Sequence, residues 1–205
     1  MKKRKRLVTI LFLLCLVGLG FYIYSQFFHK TRIVANKKEI DVIEEYGYSL
    51  NNMHPEIYKE YFKELKTVLK ETPVDEEEYV TLISKMFIID LYSLDIRVDQ
   101  NDVGGVEFVY NDIVDSYKDK VKDTIYLYME SNLYGKRKQD LPIVKDVSVD
   151  SINNVPYYYE NNTKTDQNAY EVKVSWDYEE TSDYQKSATL YFVHNDKKLE
   201  LVEIK

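Results

Sequence analysis

The chain has 205 residues, with 28 Lys and Arg against 35 Asp and Glu and a formal net charge of −7. Residues 2–6 hold five of the basic side chains, so the part after residue 28 carries 23 basic and 35 acidic side chains and a net charge of −12. This balance argues against a nucleic-acid partner, because phosphate binding needs a surplus of Lys and Arg. The only cysteine, Cys15, excludes a disulfide and a thiolate metal site from the rest of the chain.

The basic cluster at residues 2–6 is followed by an uncharged stretch, Leu7–Phe28. At a rise of ~1.5 Å per residue, a helix of this length covers the roughly 30 Å hydrocarbon layer of a bilayer. Basic residues favour the cytoplasmic side of a membrane. We therefore predict a single-pass protein of the cell membrane, with a cytoplasmic tail over 1–6, a transmembrane helix over 7–28, a juxtamembrane stalk over 29–38 and an extracellular domain over 39–205.

Two other interpretations of this N-terminal segment compete with a retained anchor. A cleaved signal peptide has a shorter apolar core and a small-x-small cleavage site. Gly18–Gly20 offers a weak site of this kind, but the apolar stretch continues to Phe28. A lipoprotein signal needs small residues before the modified cysteine, whereas Phe12–Leu14 precede Cys15. Both comparisons favour the anchor.

The first half of the domain has apolar residues at helical spacing. Pro55 suits the first turn of a helix, and Asp75 followed by Glu78 is typical of a helix N-terminus. The pattern predicts one or two helical turns over 39–50 and helices over about 55–69, 75–91 and 112–132. Gly135 and the basic residues after it would then cap the last helix.

After Pro142 the period of the apolar residues changes to two, most clearly over Tyr170–Tyr178. The pattern predicts strands over 143–152, 170–178, 184–194 and 198–204, with a turn at 195–197. Helices followed by a run of strands indicate an α+β fold, in which the helices pack on one concave face of a curved antiparallel sheet of about four strands.

This order of elements, carried by the helices of 55–132 and the strands of 143–204, resembles the nuclear-transport-factor-2-like or cystatin-like fold. The stretches EEYGYSL, ISKMFIIDLYSL, NDVGGVEFVY and GKRKQDLP resemble uncharacterised single-span membrane proteins of low-GC Gram-positive bacteria. One span followed by such a domain is also similar to an assembly component of type IV secretion and conjugation machines. That likeness implies an oligomerising scaffold.

The sequence offers few residues with catalytic chemistry. The three histidines, His29, His54 and His194, have no companions at metal-ligand spacing, and we predict surface or capping roles for His54 and His194. The chain has no G-x-S-x-G, H-E-x-x-H or phosphate-loop motif. We therefore predict no catalytic residue, no metal site and no cofactor.

Gly104 and Gly105 are two of only six glycines, and they follow a segment rich in oxygen ligands. An EF-hand calcium loop does not fit this segment, because Val103 and Tyr110 stand where oxygen ligands are required. We predict that the two glycines serve a backbone position with positive φ or a close packing contact.

Two stretches are candidate interaction surfaces. The first is the aromatic run Tyr157, Tyr158 and Tyr159, since each tyrosine offers a flat apolar ring and a hydroxyl group. The second is the basic run Lys136, Arg137 and Lys138, which suits an anionic wall polymer. The alternatives are a strand with tyrosines alternating inward and outward, and a helix C-terminal cap.

A sizeable core without a catalytic constellation favours a non-enzymatic domain of the bacterial cell envelope. We expect a membrane-anchored interaction or scaffold domain that binds a protein partner or a second copy of itself. Two other classes stay open at this point: a domain that binds a small ligand or a wall polymer, and an enzyme that uses a cavity under the sheet.

Overall fold

The computed structural model describes residues 37–180 and 183–205. The predicted tail, the transmembrane helix and most of the stalk lie outside these residues. The described chain has an α+β fold with three helices packed on a four-stranded antiparallel sheet. None of the helices between residues 37 and 205 that the structure describes is long and apolar enough to span a bilayer.

The sheet has the strand order β3-β4-β5-β6, with each strand antiparallel to its neighbours. Side chains on β4 alternate as the sequence predicts, with Val172, Val174 and Trp176 buried against the helices. The four strands are β3 (Val144–Tyr159), β4 (Lys164–Tyr178), β5 (Ser187–Asn195) and β6 (Lys198–Ile204).

The helical turns predicted for residues 39–50 are wrong. This segment is an antiparallel hairpin of β1 (Glu39–Ile43) and β2 (Tyr48–Asn51). Gly47 has a φ of 71°, which lies outside the right-handed helical region, so a helix cannot continue through this residue. The amides of Tyr46 and Gly47 both donate to the carbonyl of Ile43 and close the turn. The alternation of Tyr48 and Leu50, both buried, is the period-two signal that the helical prediction passed over.

The next two predicted helices are confirmed as α1 (Glu56–Val68) and α2 (Glu76–Tyr92). Asp75 caps α2 as expected, because its side chain accepts hydrogen bonds from the amides of Glu77 and Glu78 at 3.1 and 3.0 Å. The second half of α2 is buried on every side, which makes it the central helix of the domain.

The long helix predicted over 112–132 is wrong in its second half. A short 3₁₀ turn, Asn111–Ile113, leads into α3 (Val114–Asp123), and turns replace the helix from Thr124 onward. Tyr126 is fully buried, and its hydroxyl donates to the carbonyl of Leu91 at 2.9 Å. Packing of this side chain outweighs the local helical pattern. The basic run Lys136–Lys138 therefore does not cap a helix.

The core lies between the helices and one face of the sheet, where Tyr58, Phe62, Phe87, Leu190 and Phe192 are fully buried. The described residues alone form a core of the size that is typical of an independently folding domain, and we expect residues 37–205 to fold on their own. The sheet has two ends. The turn end holds the β3–β4 and β5–β6 turns, and the loop end holds the start of β3, the end of β4 and the C-terminus of α2.

Candidate functional site

The predicted aromatic surface lies at the turn end, on the last residues of β3. Tyr157 donates to a carboxylate oxygen of Glu203 at 2.5 Å, and its ring packs on Tyr191 with centroids 5.0 Å apart. The ring of Tyr159 meets Tyr110 edge to face at 5.5 Å. Only Tyr158 is well exposed, at 59%. Two of the three tyrosines therefore already have intramolecular partners.

The predicted basic run lies at the loop end, just before β3. Arg137 is 2% exposed in its side chain, and its guanidinium donates to the Arg97 carbonyl at 2.9 Å and to the Asp95 carboxylate at 2.7 Å. Lys136 and Lys138 are exposed. About 13 strand residues separate the two candidate surfaces, roughly 40 Å along β3, so the fold does not bring them together.

A groove that the sequence did not reveal lies at the loop end. It has a volume of about 700 Å³ and is formed by the segment before β3 and the segment after β4. We call it the acidic groove; it is lined mainly by Asp140, Leu141, Glu179, Glu180, Asp183 and Tyr184. A second cavity of about 230 Å³ shares Leu141 and Tyr184 with it and is also lined by Ile125, Tyr128 and Met129. The two cavities are therefore neighbours, and apolar side chains form part of the wall of each.

Five carboxylates line the acidic groove. Asp95 is paired with Arg137, and the other four are those of Asp140, Glu179, Glu180 and Asp183. Within the described ranges none of the four forms an ion pair. Like charges around one groove raise the local negative potential, and a concave surface concentrates that potential. The geometry suits a cationic group that also has apolar surface to bury.

A second group of polar residues is enclosed beneath α2. Asp90 contacts the Arg97 guanidinium, and its other carboxylate oxygen accepts from the Gly105 amide at 2.6 Å. His54 lies 3.1 Å from the Asp90 carboxylate. Burial alone would raise the pKa of Asp90. The charge of Arg97 and the hydrogen bonds from His54 and the Gly105 amide together outweigh burial and hold this pKa well below its ordinary value.

The surface role predicted for His54 is wrong, since its exposure is 5%. Its ring packs on Tyr58 with centroids 3.8 Å apart, and Asn51 lies within hydrogen-bond distance at 3.0 Å.

The prediction of a backbone constraint at Gly104 and Gly105 is confirmed. Gly105 has a φ of 75°, and a methyl group on Gly104 would overlap the Asp90 carbonyl. This pair allows the 98–105 loop to reach the buried carboxylate.

Glu107 joins the β1–β2 hairpin to α1. Its carboxylate accepts hydrogen bonds from the amide and hydroxyl of Ser49, at 3.0 and 2.9 Å, and from the hydroxyl of Tyr58 at 2.9 Å. Burial, helped by the negative charge of Asp90, raises the pKa of Glu107 to about 7, and the hydrogen bonds only partly oppose this. The carboxyl group is therefore partly protonated near neutral pH.

Glu107 should make the free energy of unfolding depend on pH. Its pKa is about 7 in the folded chain and 4.5 as the ordinary value, so the folded state holds the extra proton between these limits. Stability should fall as pH rises from about 4.5 through about 7, by on the order of 3 kcal/mol. Urea unfolding of Glu107→Gln across this range should show a flatter profile than the unchanged chain. An unaltered profile would contradict this role.

His194 lies at the turn end between two carboxylates. Its Nδ1 is 2.8 Å from Asp166, and its Nε2 is 3.3 Å from Glu76, which also accepts from Tyr170 at 3.0 Å. Partial burial opposes protonation, but the hydrogen bonds to Asp166 and Glu76 outweigh it and raise the pKa of His194. Its stabilising effect should be lost as pH rises through that raised pKa, in the same direction as for Glu107.

The Asp90 cluster and the acidic groove differ in what their polar groups can do. The Asp90 cluster is enclosed and its charges are paired with each other, so it holds loops together. In the part of the chain that the structure describes, no group of three or more His, Cys, Asp or Glu has the arrangement of a metal site. The acidic groove combines open volume, apolar walls and unpaired charge, and it is the best candidate for binding.

Comparisons of this chain with protein-family models, with curated proteins and with solved structures found no match.

Proposed function

We propose that this chain is a membrane-anchored, extracytoplasmic protein-interaction domain of the bacterial cell envelope, without enzymatic activity. Leu7–Phe28 would be the anchor, with the N-terminus in the cytoplasm and the domain outside. The element order supports the nuclear-transport-factor-2-like or cystatin-like type of α+β fold. A scaffold role of the kind found in type IV secretion and conjugation machines is the most specific form of this proposal.

The acidic groove is the observation on which the proposal rests. A groove with four unpaired carboxylates and with apolar side chains in part of its wall suits a protein segment that carries Lys or Arg beside apolar residues. The apolar residues would fill the walls around Leu141 and Tyr184. The basic residues would reach the carboxylates of Glu179 and Glu180, where charge complementarity favours association and selects the partner.

The other functional classes receive less support. An enzyme would need a catalytic combination of reactive groups in an accessible cavity. The acidic groove supplies carboxylates, but no histidine is among the described residues that line it, and His194 lies outside both cavities. A wall-polymer binder would need a continuous basic or tyrosine-rich face. Neither run predicted from the sequence supplies one, because Arg137 is bound to Asp95, and Tyr157 and Tyr159 are engaged with neighbouring side chains.

Charge reversal on the groove rim tests this function. Residues 37–205 would be titrated with a fluorescent peptide of alternating Lys and Leu, and with the same peptide carrying Glu in place of Lys. The unchanged domain should prefer the basic peptide, and Glu179→Lys/Glu180→Lys should weaken its binding at least tenfold, about 1.4 kcal/mol.

Glu60→Lys/Glu64→Lys is the matched control, since it makes the same change in net charge on the exposed surface of α1, away from the groove. It should leave the affinity for the basic peptide almost unchanged. Equal binding of the two peptides, or equal losses in the two double variants, would show that the groove does not select a cationic segment.

A further inference from the structure

Exposed apolar side chains are concentrated in one segment of the domain. Seven large hydrophobic residues are exposed in the part of the chain that the structure describes, and four of them lie between residues 127 and 134. We call these four the exposed ridge: Leu127, Tyr128, Leu133 and Tyr134, which are 43%, 85%, 39% and 54% exposed. Apolar groups grouped in this way on a soluble surface indicate a contact with a partner or a membrane.

The exposed ridge lies next to the point where the described chain begins. The ammonium group of Lys37 is 3.2 Å from the Asp102 carboxylate. In the same loop, the side-chain amide of Gln100 donates to the Leu127 carbonyl and the Val98 carbonyl accepts from the Asn132 amide, each at 2.7 Å. The loop at 98–102 therefore contacts both the first described residue and the exposed ridge.

The short stalk places this end of the domain close to the bilayer. Eight residues, 29–36, separate the predicted transmembrane stretch from Lys37. At ~3.5 Å per residue they cover at most about 28 Å in any conformation. A tether this short holds the exposed ridge at a millimolar effective concentration relative to the membrane surface, so that a weak contact is populated.

The chemistry of the exposed ridge fits the interfacial region of a bilayer. Tyrosine places its ring among the upper acyl chains and its hydroxyl among the headgroups, and leucine adds apolar area. Lys136 and Lys138 follow directly and are exposed, so they can approach anionic headgroups. The carboxylates of the acidic groove oppose close contact with anionic lipid, which limits the contact to the ridge and these two lysines.

We propose that the exposed ridge rests on the outer surface of the membrane that anchors the chain and fixes the orientation of the domain on the bilayer. This inference depends on the anchoring part of the proposed function. It adds a second membrane contact and a defined orientation. The loop end, with the acidic groove, then faces a partner segment close to the membrane, and Tyr158 at the turn end points away from the membrane.

Spin labels at two exposed tyrosines test the orientation. In the full chain with Cys15→Ser, a nitroxide would be attached at Tyr134→Cys or at Tyr158→Cys, two sites with exposures of 54% and 59%. The protein would be reconstituted into vesicles of phosphatidylcholine and phosphatidylglycerol. Collision rates with oxygen, which enters lipid, and with a water-soluble nickel chelate report the depth of each label.

The label at 134 should collide mainly with oxygen and the label at 158 mainly with the nickel chelate. Adding Leu127→Ser/Leu133→Ser should shift the label at 134 toward the nickel chelate without moving the one at 158. If the chain floats with vesicles but both labels lie in water, the ridge does not dock and the proposed function stands. A label at 134 shielded from both reagents would mean that protein covers the ridge, which overturns the proposal.

A chain that does not float with the vesicles would contradict the anchor and the docking contact together. The peptide titration of residues 37–205 would still decide the role of the acidic groove, because that experiment needs no membrane.

Discussion

Replacing Arg97 by methionine should lower the free energy of unfolding by about 3–5 kcal/mol, because it leaves the Asp90 carboxylate buried without its main counter-charge. Both side chains are enclosed, at 2% exposure for Arg97 and 10% for Asp90. Urea unfolding of residues 37–205 followed by circular dichroism measures the loss.

Arg137→Met is the control for this prediction. Arg137 is also 2% exposed in its side chain, but its partner Asp95 is 48% exposed. Water can solvate Asp95 after the substitution, so the loss should be clearly smaller. The combination Arg97→Met/Asp90→Asn should recover part of the stability lost in Arg97→Met, since no unpaired charge then remains. Equal losses for Arg97→Met and Arg137→Met would contradict the assigned role of the buried pair.

The second large effect is expected at the glycine pair. Gly104→Ala and Gly105→Ala should each lower the free energy of unfolding by about 3 kcal/mol or more. A methyl group on Gly104 would overlap the Asp90 carbonyl, and one on Gly105 would lie 2.6 Å from a ring carbon of Phe87. Either overlap pushes the 98–105 loop away from α2 and disrupts the contacts of Asp90.

Gly47→Ala is the control, because it measures the free-energy cost of a left-handed alanine without the cost of a steric overlap. Gly47 has a φ of 71°, close to that of Gly105, but a methyl group there would meet nothing within 4 Å. Its loss should therefore be limited to the cost of a left-handed residue, roughly 1–2 kcal/mol. Thermal unfolding of the three variants would reveal the difference, and similar midpoints for all three would mean that packing against α2 is unimportant.

The elements that sequence alone predicts best are those whose local pattern and tertiary packing agree. α2 begins at Asp75 as its cap predicts, and β4 shows its buried and exposed faces directly in the alternation of residues 170–178. The Gly104–Gly105 prediction also held, because scarce glycines next to each other indicate a backbone constraint. In these places one local signal is sufficient.

The predictions failed where distant contacts decide the structure. Tyr126 ends the α3 region because its hydroxyl reaches Leu91, 35 residues earlier in the chain. The Asp90 cluster joins side chains that come from α2, from the loop after it and from the segment before α1. No spacing rule connects His54 with Asp90, since 36 residues separate them. A lone histidine beside a proline gives no indication of that partner.

The acidic groove was missed for a related reason. Its carboxylates come from two segments, around Asp140 and around Glu179, that meet because β3 and β4 pair in antiparallel register. The acidic residues after Tyr178 were the only local sign of this groove. Charged residues in a turn usually face solvent without binding anything, so they did not point to a site. The aromatic and basic runs that the sequence emphasised lie instead at opposite ends of β3, and Arg137 and Tyr157 are bound within the domain.

Photo-crosslinking in intact cells tests the central claim most directly. A photoreactive phenylalanine at position 184, in the acidic groove, should join the full chain to one discrete envelope protein through a segment that contains Lys or Arg beside apolar residues. Glu179→Lys/Glu180→Lys should abolish the product, and the same probe at position 158 should give none. Identical products at both positions, or products only with cytoplasmic proteins, would contradict a groove that binds its partner outside the membrane.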